Sequence, residues 1–264
     1  MKTQPARLLA WCLLGALAVH TAGAATPDYV PVAAGSFDSV LPPDGKSGAA
    51  LIEGFRVRAT PVSNAEFLAF LRKEPQWRRD RVVALFAEDR YLSHWPAADA
   101  IAPEQAKQPV TQVSWFAAQA FCAAENARLP TWHEWEFVAA ADASRADARS
   151  DPAWRAQILN WYAQTSGKGL RNVGGEANFY GARDVHGLVW EWVSDTSALM
   201  VSSDNREQGD PDLLKFCGAG ALSMQDRDNY AVLMRIAMLS SLQARDTTAN
   251  LGFRCAIDGT GVTP

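Results

Sequence analysis

A dense polar run, Ser223–Tyr230, holds the side chains of this 264-residue chain that are best suited to chemistry. Asp226 and Asp228 could bind a hard cation or act as an acid and a base, and Arg227 between them could hold a carboxylate. Tyr230 could stack on a ligand or donate a hydrogen bond. The alternative is a solvated loop whose charges neutralise one another.

Cysteine is the second residue type that offers chemistry, and the chain has four cysteines, at positions 12, 122, 217 and 255. In an oxidising compartment the last three are expected to pair where geometry allows. Because three is an odd number, one thiol is left over.

Histidine gives little indication of a metal centre. Beyond residue 24 the histidines are His94, His133 and His186. No two of them have the spacing that would place both on one face of a helix, as ligands of a helical metal site require. We therefore expect each one to be a surface or loop-packing residue.

The first 24 residues have the pattern of a secretory signal peptide. Basic residues precede an apolar run, Leu8–Val19, and small residues lead to a cleavage site near Ala24. The run is shorter than the roughly 20 residues that a membrane-spanning helix needs. Cys12 does not follow a small residue, as the cysteine of a lipoprotein signal would. We expect a periplasmic or secreted protein without a membrane anchor.

Composition limits the class of partner. The chain carries a formal net charge of −4 and has no cluster of lysine and arginine, which argues against nucleic acid or an anionic membrane as partner. Ten tryptophans, 18 glycines and 14 prolines indicate a packed, loop-rich α+β protein rather than a helical bundle or a repeat array.

Three helices are predicted from their starting residues. Two capping boxes join a hydroxyl residue to a glutamate three positions later: Ser63 with Glu66, and Thr131 with Glu134. The first box predicts a helix over Asn64–Leu71, and the second a helix through Val138. A further helix is expected after Ser114, with Phe121 and Cys122 on its buried face.

Strand patterns and loops occupy the rest of the chain. Val30–Phe37 is predicted to be a short strand entering a turn, and Phe55–Arg58 a strand. A surface excursion, with room for a helical fragment, is expected over Asp142–Arg155. Beyond Asn160 helical periodicity fades, and long loops with few regular elements are expected. Trp190–Trp192 alternates like a strand, with both indoles facing the core and Glu191 facing the other side.

Several ordered motifs resemble those of the sulfatase-modifying factor, or formylglycine-generating enzyme, family. The motifs are Pro109–Trp115, Phe121–Cys122, Arg128–Thr131, Glu134–Glu136, Asn178–Gly181 with Asp184, Gly187–Asp195 and Asn250–Cys255. Together they extend from about Val30 to Ala256. The resemblance implies one α+β domain over residues 25–264, loop-rich and with few regular elements, whose fold is an elaborated C-type lectin fold.

The resemblance also implies which chemistry is missing. Family members that oxidise a sulfatase cysteine bind Cu(I) through two thiolates, which are the ligands that this soft ion selects. Counting back without gaps from Gly252–Arg254 places the two positions on Asp226 and Ala231. Cys217 lies several residues upstream, and one thiol cannot supply a two-thiolate site. No copper-thiolate site is therefore expected.

The same register assigns further residues by resemblance. The ligand-binding cleft of the family would be lined by Ser223, Gln225 and Asn229, together with the catalytic candidates Asp226, Arg227, Asp228 and Tyr230. Structural Ca²⁺ of the family type would be held by Asn178, Asp184 and Glu191, which supply hard oxygens. The family has more than one structural calcium site. Leu188 stands where the family usually has asparagine, which puts the second of these sites in doubt.

One disulfide is also implied by the resemblance. Cys122 and Cys255 match the two cysteines of a family bridge, so that Cys217 would remain a free thiol. The other family bridge falls near Ala140 and on Ile236, and both positions are apolar here. The loss of both partners together agrees with this register.

These implications favour an exported accessory or maturation protein that binds a peptide or protein partner of a periplasmic enzyme, without copper-thiolate chemistry. Some exported relatives are encoded beside copper nitrite reductases. One alternative is a periplasmic oxidase or modifying enzyme that acts on a peptide-derived substrate, as in siderophore maturation, through Asp226, Arg227, Asp228 and Tyr230. Another is a lectin-like ligand-binding module.

Overall fold

The computed structural model describes residues 27–41, 49–163, 169–196 and 230–259. The predicted signal peptide, the site candidates at 223–229 and Cys217 lie outside the described residues, as does the side chain of Tyr230. The predictions made for them stay predictions. Within the described ranges, no helix combines the length and the apolar character that crossing a bilayer would require.

The strands of the described residues form three small sheets. The first is antiparallel in the order β1 (Tyr29–Val32), β4 (Phe55–Arg58), β7 (Ala256–Asp258). The other two are an antiparallel pair, β2 (Gly35–Asp38) with β3 (Ala49–Ile52), and a parallel pair, β5 (Trp190–Glu191) with β6 (Leu251–Gly252). Val57 of β4 lies opposite Val30 on one side and Ala256 on the other, so early and late segments of the chain share one sheet.

The helices of the described residues are α1 (Asn64–Lys73), α2 (Trp115–Ala124), α3 (Trp132–Ala139), α4 (Pro152–Ala163) and α5 (Tyr230–Ser240). Both predicted capping boxes are present. At the start of α1, Ser63 Oγ accepts from Glu66 N, and the Glu66 carboxylate accepts from Ser63 N at 2.8 Å. The α1 prediction is confirmed, with an end two residues later than expected, and the helices after Ser114 and Thr131 are confirmed as well.

Three elements differ from the sequence prediction. The stretch Val30–Phe37 is divided between β1 and β2, which belong to different sheets, and residues 33–34 belong to neither strand. The helical fragment that the surface excursion left room for is present but longer than expected: α4 begins at Pro152, where Asp151 Oδ1 accepts from Ala153 N at 2.8 Å, and it continues to Ala163. Helix α5 lies where a loop was expected, and it forms with Ile236 and Leu239 buried in the core.

An aromatic cluster fills the centre of the core. Phe67 of α1 stacks on Phe121 of α2, with 5.8 Å between ring centroids, and Phe253 meets Phe121 edge-on at 5.3 Å. Trp95 closes the cluster against Phe67. Such pairs contribute about 0.5 to 1.5 kcal/mol beyond their buried area. The cluster therefore ties α1 and α2 to the last strands of the chain.

A disulfide lies beside this cluster. It joins Cys122 of α2 to Cys255, which directly precedes β7, with 5.5 Å between the Cα atoms. Both cysteines are fully buried. The bond links positions 133 residues apart and fixes the C-terminal segment on α2.

A buried ion pair lies at the meeting point of β5 and the segment between β6 and β7. Arg254 donates from Nε to Glu191 Oε2 at 2.8 Å and from Nη2 to Oε1 at 2.7 Å. Trp135 Nε1 donates to the same carboxylate at 2.8 Å. The guanidinium also donates to the carbonyls of Arg58 and Arg183. These contacts give Arg254 a structural role.

The segment Trp190–Trp192, of which β5 includes the first two residues, is more deeply buried than its alternation indicates. Trp192 and Glu191 are both fully buried, and Trp190 is half-buried. Glu191 can be buried because Arg254 and Trp135 satisfy its carboxylate. Arg235 of α5 adds a second guanidinium, which lies 3.5 Å from the Trp135 ring centroid and donates to the Glu191 carbonyl.

The ion pair predicts a large effect of removing one partner. We expect Arg254→Met to lower the free energy of unfolding by about 3 to 5 kcal/mol, because Glu191 is left buried without a counter-charge. Asp258→Asn is the matched control, since Asp258 is 81 % exposed in its pair with Arg128 and exposed pairs contribute at most about 1 kcal/mol. Urea unfolding measures both. Equal losses in the two variants would contradict this interpretation, and Arg254→Met with Glu191→Leu should recover part of the loss.

The disulfide predicts a specific peptide map. Non-reducing digestion should give one cross-linked peptide with Cys122 and Cys255, and Cys217 should be alkylated in the unreduced protein. Replacing both bridging cysteines by alanine should cost up to about 5 kcal/mol, the chain-entropy value for a loop of this length. The control, Cys217→Ser, should give the same cross-linked peptide. A cross-link that contains Cys217 would overturn the assignment.

Candidate functional site

A groove of about 750 Å³ opens where three segments of the described chain meet. These segments are the loop after α3 (141–145), the first half of α4, and the loop 171–186. Trp154 and Ile158 of α4 give the groove an apolar wall, while most of the remaining lining is polar or charged. The volume is within the range of about 300 to 1,000 Å³ that is typical of ligand pockets.

One rim of the groove is held by Arg145. Its guanidinium donates to Asp142 Oδ2 at 2.8 Å and to Asp151 Oδ2 at 2.7 Å. The hydrogen bonds from Arg145, together with those from Ser144, hold the pKa of the Asp142 carboxyl well below its usual range. Both carboxylates are therefore ionised at neutral pH and share one guanidinium.

The opposite rim is organised by Asp184. This residue has a positive φ of 59°, and its Oδ2 accepts from Gly174 N at 2.7 Å. Gly175 N donates to the same carboxylate, and Arg171 forms an ion pair with it. A Cβ on Gly175 would lie 2.5 Å from Asp184 Oδ1, so a larger residue there would displace the Asp184 carboxylate. Asp184 thus fixes the loop from Arg171 onwards.

The three residues assigned to Ca²⁺ by resemblance have other partners in this structure. Asn178 Oδ1 accepts from two backbone amides, those of Tyr180 and Ala182. Asp184 pairs with Arg171, and Glu191 pairs with Arg254. A cation would have to displace guanidinium groups to reach these carboxylates. As placed, the three residues do not fit a shared Ca²⁺ site, and Ca²⁺ binding by this protein stays a prediction.

His186 lies between the groove and a smaller cavity beneath it. Its Nε2 is 2.8 Å from Ala139 O and so carries the proton of the neutral ring. Nδ1 is buried and has no hydrogen-bond partner among the described residues. Burial, aided by the nearby Arg235 and Arg254, lowers the pKa of His186 to about 4. At neutral pH the ring is therefore uncharged, and Nδ1 accepts no hydrogen bond from the described part of the chain.

The smaller cavity has a volume of about 20 Å³, room for about one water molecule. Glu136 of α3 lines it and is almost completely buried. Its carboxylate accepts from Val40 N at 3.0 Å and from Trp132 Nε1 at 2.9 Å, and it also bonds Ser39 Oγ. Burial raises the pKa of Glu136. With both of its oxygens hydrogen-bonded, Glu136 anchors the residues after β2 to α3.

The other two histidines lie elsewhere. His94 Nδ1 is 2.7 Å from Gln112 Oε1, and His133 Nε2 is 2.7 Å from Leu41 O. In the ranges that the structure describes, no three side chains of histidine, cysteine, aspartate or glutamate are grouped so that they could hold a metal ion.

The sequence did not point to this groove. The predicted cleft residues Ser223, Gln225 and Asn229, and the catalytic candidates Asp226, Arg227 and Asp228, lie outside the described residues. Tyr230 is the first residue of α5. A usable signal for the groove was the glycine pair Gly174–Gly175, which allows backbone amides to approach a carboxylate closely.

Comparison with known proteins adds the family to this geometry. The family model described as "Sulfatase-modifying factor enzyme 1-like domain" matches residues 16–259. The "Inactive C-alpha-formylglycine-generating enzyme 2" of Mus musculus is 27% identical, over 96% of this chain and 92% of the mouse protein. The "Formylglycine-generating enzyme" of the same species is 26% identical, over 87% of this chain and 74% of its own length.

Other similar proteins share part of the chain or its general shape. The "Hercynine oxygenase" of Mycolicibacterium smegmatis is 29% identical over 54% of this chain, and the chain spans 37% of that protein. Among solved structures, Treponema denticola variable protein 1 aligns with a TM-score of 0.44 and 17% identity, over 88% of this chain and 95% of its own. The family match extends over all four described ranges, and the chain therefore belongs to the sulfatase-modifying factor, or formylglycine-generating enzyme, family.

Proposed function

We propose that this chain is a partner-binding member of its family. In this proposal it is an exported accessory or maturation protein that binds a peptide or protein partner and does not use copper-thiolate chemistry. One observation carries the proposal. Cys122 and Cys255 are joined in a buried disulfide, so Cys217 is the single remaining cysteine beyond residue 24.

Thiol chemistry explains why this observation matters. Cu(I) selects soft thiolate ligands, and a hard carboxylate is a poor substitute. The positions that the resemblance assigns to the copper pair hold Asp226 and Ala231. A single thiol at Cys217 leaves a two-thiolate site incomplete.

Two further observations support a binding role. The mouse relative that aligns over 92% of its length is named as inactive, which is consistent with use of this domain outside formylglycine generation. The groove beside α4 is open and mixes charged groups with the apolar surface of Trp154 and Ile158. An extended peptide presents both backbone polar groups and side chains to such a surface, so a partner of this kind is favoured.

The proposal predicts a negative result in a copper assay. Purified chain supplied with Cu(I), oxygen and a peptide of the form Cys-x-Pro-x-Arg should not convert the peptide thiol to an aldehyde. An active formylglycine-generating enzyme in the same buffer serves as the positive control. Mass spectrometry measures the product. Copper-dependent aldehyde formation by this chain, lost in Cys217→Ser, would show that a one-cysteine site works and would contradict the proposal.

The proposal also predicts a positive result in a binding assay. A displayed library of random 12-residue peptides, panned against the immobilised full chain, should yield sequences that bind the protein in solution with micromolar dissociation constants. The control is a scrambled version of each selected peptide, which should bind at least about tenfold more weakly, a difference of about 1.4 kcal/mol. A library that yields no binder above the scrambled controls would count against a peptide-binding role.

A further inference from the structure

We propose that an exposed apolar patch, Val83–Phe86, binds the partner polypeptide through a run of apolar side chains that has an acidic residue beside it. The inference rests on the proposed function, because the polypeptide is the partner proposed above. The patch lies in the long connection between α1 and α2, and none of its residues lines the groove beside α4.

The four residues of the patch are consecutive, apolar and exposed to solvent. Val83 is 60% exposed, Leu85 67% and Phe86 37%. Single exposed apolar residues are ordinary on a folded protein, and Leu51, which lies between two buried residues of β3, is one of them. A contiguous exposed run instead indicates an interaction surface.

Aromatic contacts support the patch from behind. Phe86 contacts the rings of Trp77 and Phe116, with 5.9 Å and 5.2 Å between centroids. Phe116 in turn meets Trp115 edge-on at 5.5 Å. Phe86 N donates to Val83 O at 2.8 Å, a hydrogen bond that spans the patch. These contacts hold the apolar side chains in one arrangement, so little ordering of the patch is needed for binding.

The chain is also anchored on both sides of the patch. Before it, Val82 N donates to Arg78 O at 2.8 Å. After it, Glu88 N donates to Arg245 O at 3.1 Å, and Glu88 Oε1 accepts from Thr247 Oγ1 at 2.8 Å. The patch is therefore exposed although its flanking residues are fixed to the rest of the fold.

Two unpaired cations border the patch. Arg81 precedes Val83 by two residues, and Arg245 is brought there by its bond to Glu88 and by the bond from Trp115 N to Ala244 O at 2.9 Å. Both arginines are exposed, and neither side chain has an ion pair or a hydrogen bond within the described residues. Each is available to a carboxylate of the partner.

The nearby carboxylates are less available. Asp80 accepts from Arg78 at 2.9 Å, and Glu88 accepts from Arg90 at 3.0 Å. Asp89 is exposed and, among the described residues, unpaired. Unpaired positive charge thus exceeds unpaired negative charge here, on a chain whose formal net charge is −4. Charge complementarity favours an acidic residue next to the apolar run of the partner.

The same charges disfavour two other occupants. In a symmetric dimer the patch would face its own copy, which would bring Arg81 and Arg245 close to the same cations. An anionic membrane would repel the net negative charge of the chain. An acidic, apolar polypeptide meets neither obstacle.

The test uses the full chain and capped pentapeptides. The first is Ac-Asp-Leu-Phe-Leu-Asp-amide, and in two others asparagine or lysine replaces both aspartates. The fourth, Ac-Asp-Ser-Thr-Ser-Asp-amide, lacks the apolar run. NMR titration measures the dissociation constants. We expect the first peptide to bind at least about tenfold more tightly than the fourth and about threefold more tightly than the lysine peptide. Equal binding of all four would overturn the inference.

Variants assign the site. Leu85→Ser should weaken binding of the first peptide about tenfold, as loss of a central apolar contact does. Leu51→Ser is the matched control, because Leu51 is even more exposed and lies on β3. Arg81→Glu should weaken the aspartate peptide but not the asparagine peptide, and Lys107→Glu, the same charge change at another exposed site, should weaken neither. Equal effects of Leu85→Ser and Leu51→Ser would contradict the proposal.

Two further measurements exclude the other occupants. Analytical ultracentrifugation should show a monomer, and the chain should not sediment with vesicles of phosphatidylcholine and phosphatidylglycerol. A dimer that Leu85→Ser abolishes would assign the patch to a second copy of the chain. Vesicle binding that the same variant abolishes would assign it to a membrane. Either result would overturn the inference.

The two proposals can fail separately. If the chain forms the aldehyde in the copper assay but binds the aspartate peptide through Leu85, the patch stands and the accessory role is wrong. If the binders from the random library are unaffected by Leu85→Ser, the partner-binding role stands and the patch is wrong.

Discussion

The buried pair of Glu191 and Arg254 is the interaction on which the described fold depends. Removing two charges from water costs several kcal/mol for each ion, and only close geometry with further hydrogen bonds offsets that cost. Arg254 meets this condition by binding Glu191 and the carbonyls of Arg58 and Arg183 at once. Strands β4 and β5, the loop at residue 183 and the C-terminal segment are therefore held in one relative arrangement.

Buried positive charges near this ion pair also affect His186 at the base of the groove. Arg235 stacks on Trp135, and Trp135 donates to Glu191, so α5 is fixed to the ion pair through one indole. Burial in this region lowers the pKa of His186, and the positive charges of Arg235 and Arg254 lower it further. The neutral state of His186 is thus a property of the core, although the ring lies at the base of a surface groove.

Features that depend on neighbouring residues could be predicted from the sequence, and contacts between distant residues could not. The starts of α1 and α3 could be predicted because a capping box is complete within four residues. The order and spacing of the family motifs likewise predicted the overall fold. Helix α5 was missed because its stability comes from residues such as Ile236 that are buried by distant elements.

The groove illustrates the same limit. His186 bonds a carbonyl 47 positions away, and Asp184 adopts a left-handed conformation that aspartate visits only with local support. Neither property leaves a periodic pattern in the sequence. The cleft expected at 223–229 was assigned by register alone, and a register says which residues align but not which of them face one another.

The central position of β4 has a consequence for biosynthesis. Its neighbours are β1, made early, and β7, made near the end of the chain. The pairing of β4 with β7 cannot form on the ribosome until the last strand emerges. The same holds for the hydrogen bond from Arg58 N to Cys255 O. Such long-range pairing is slow to form, and the incomplete sheet exposes apolar strands in the meantime. The sheet of β1, β4 and β7 therefore cannot be completed before residues 256–258 have left the ribosome.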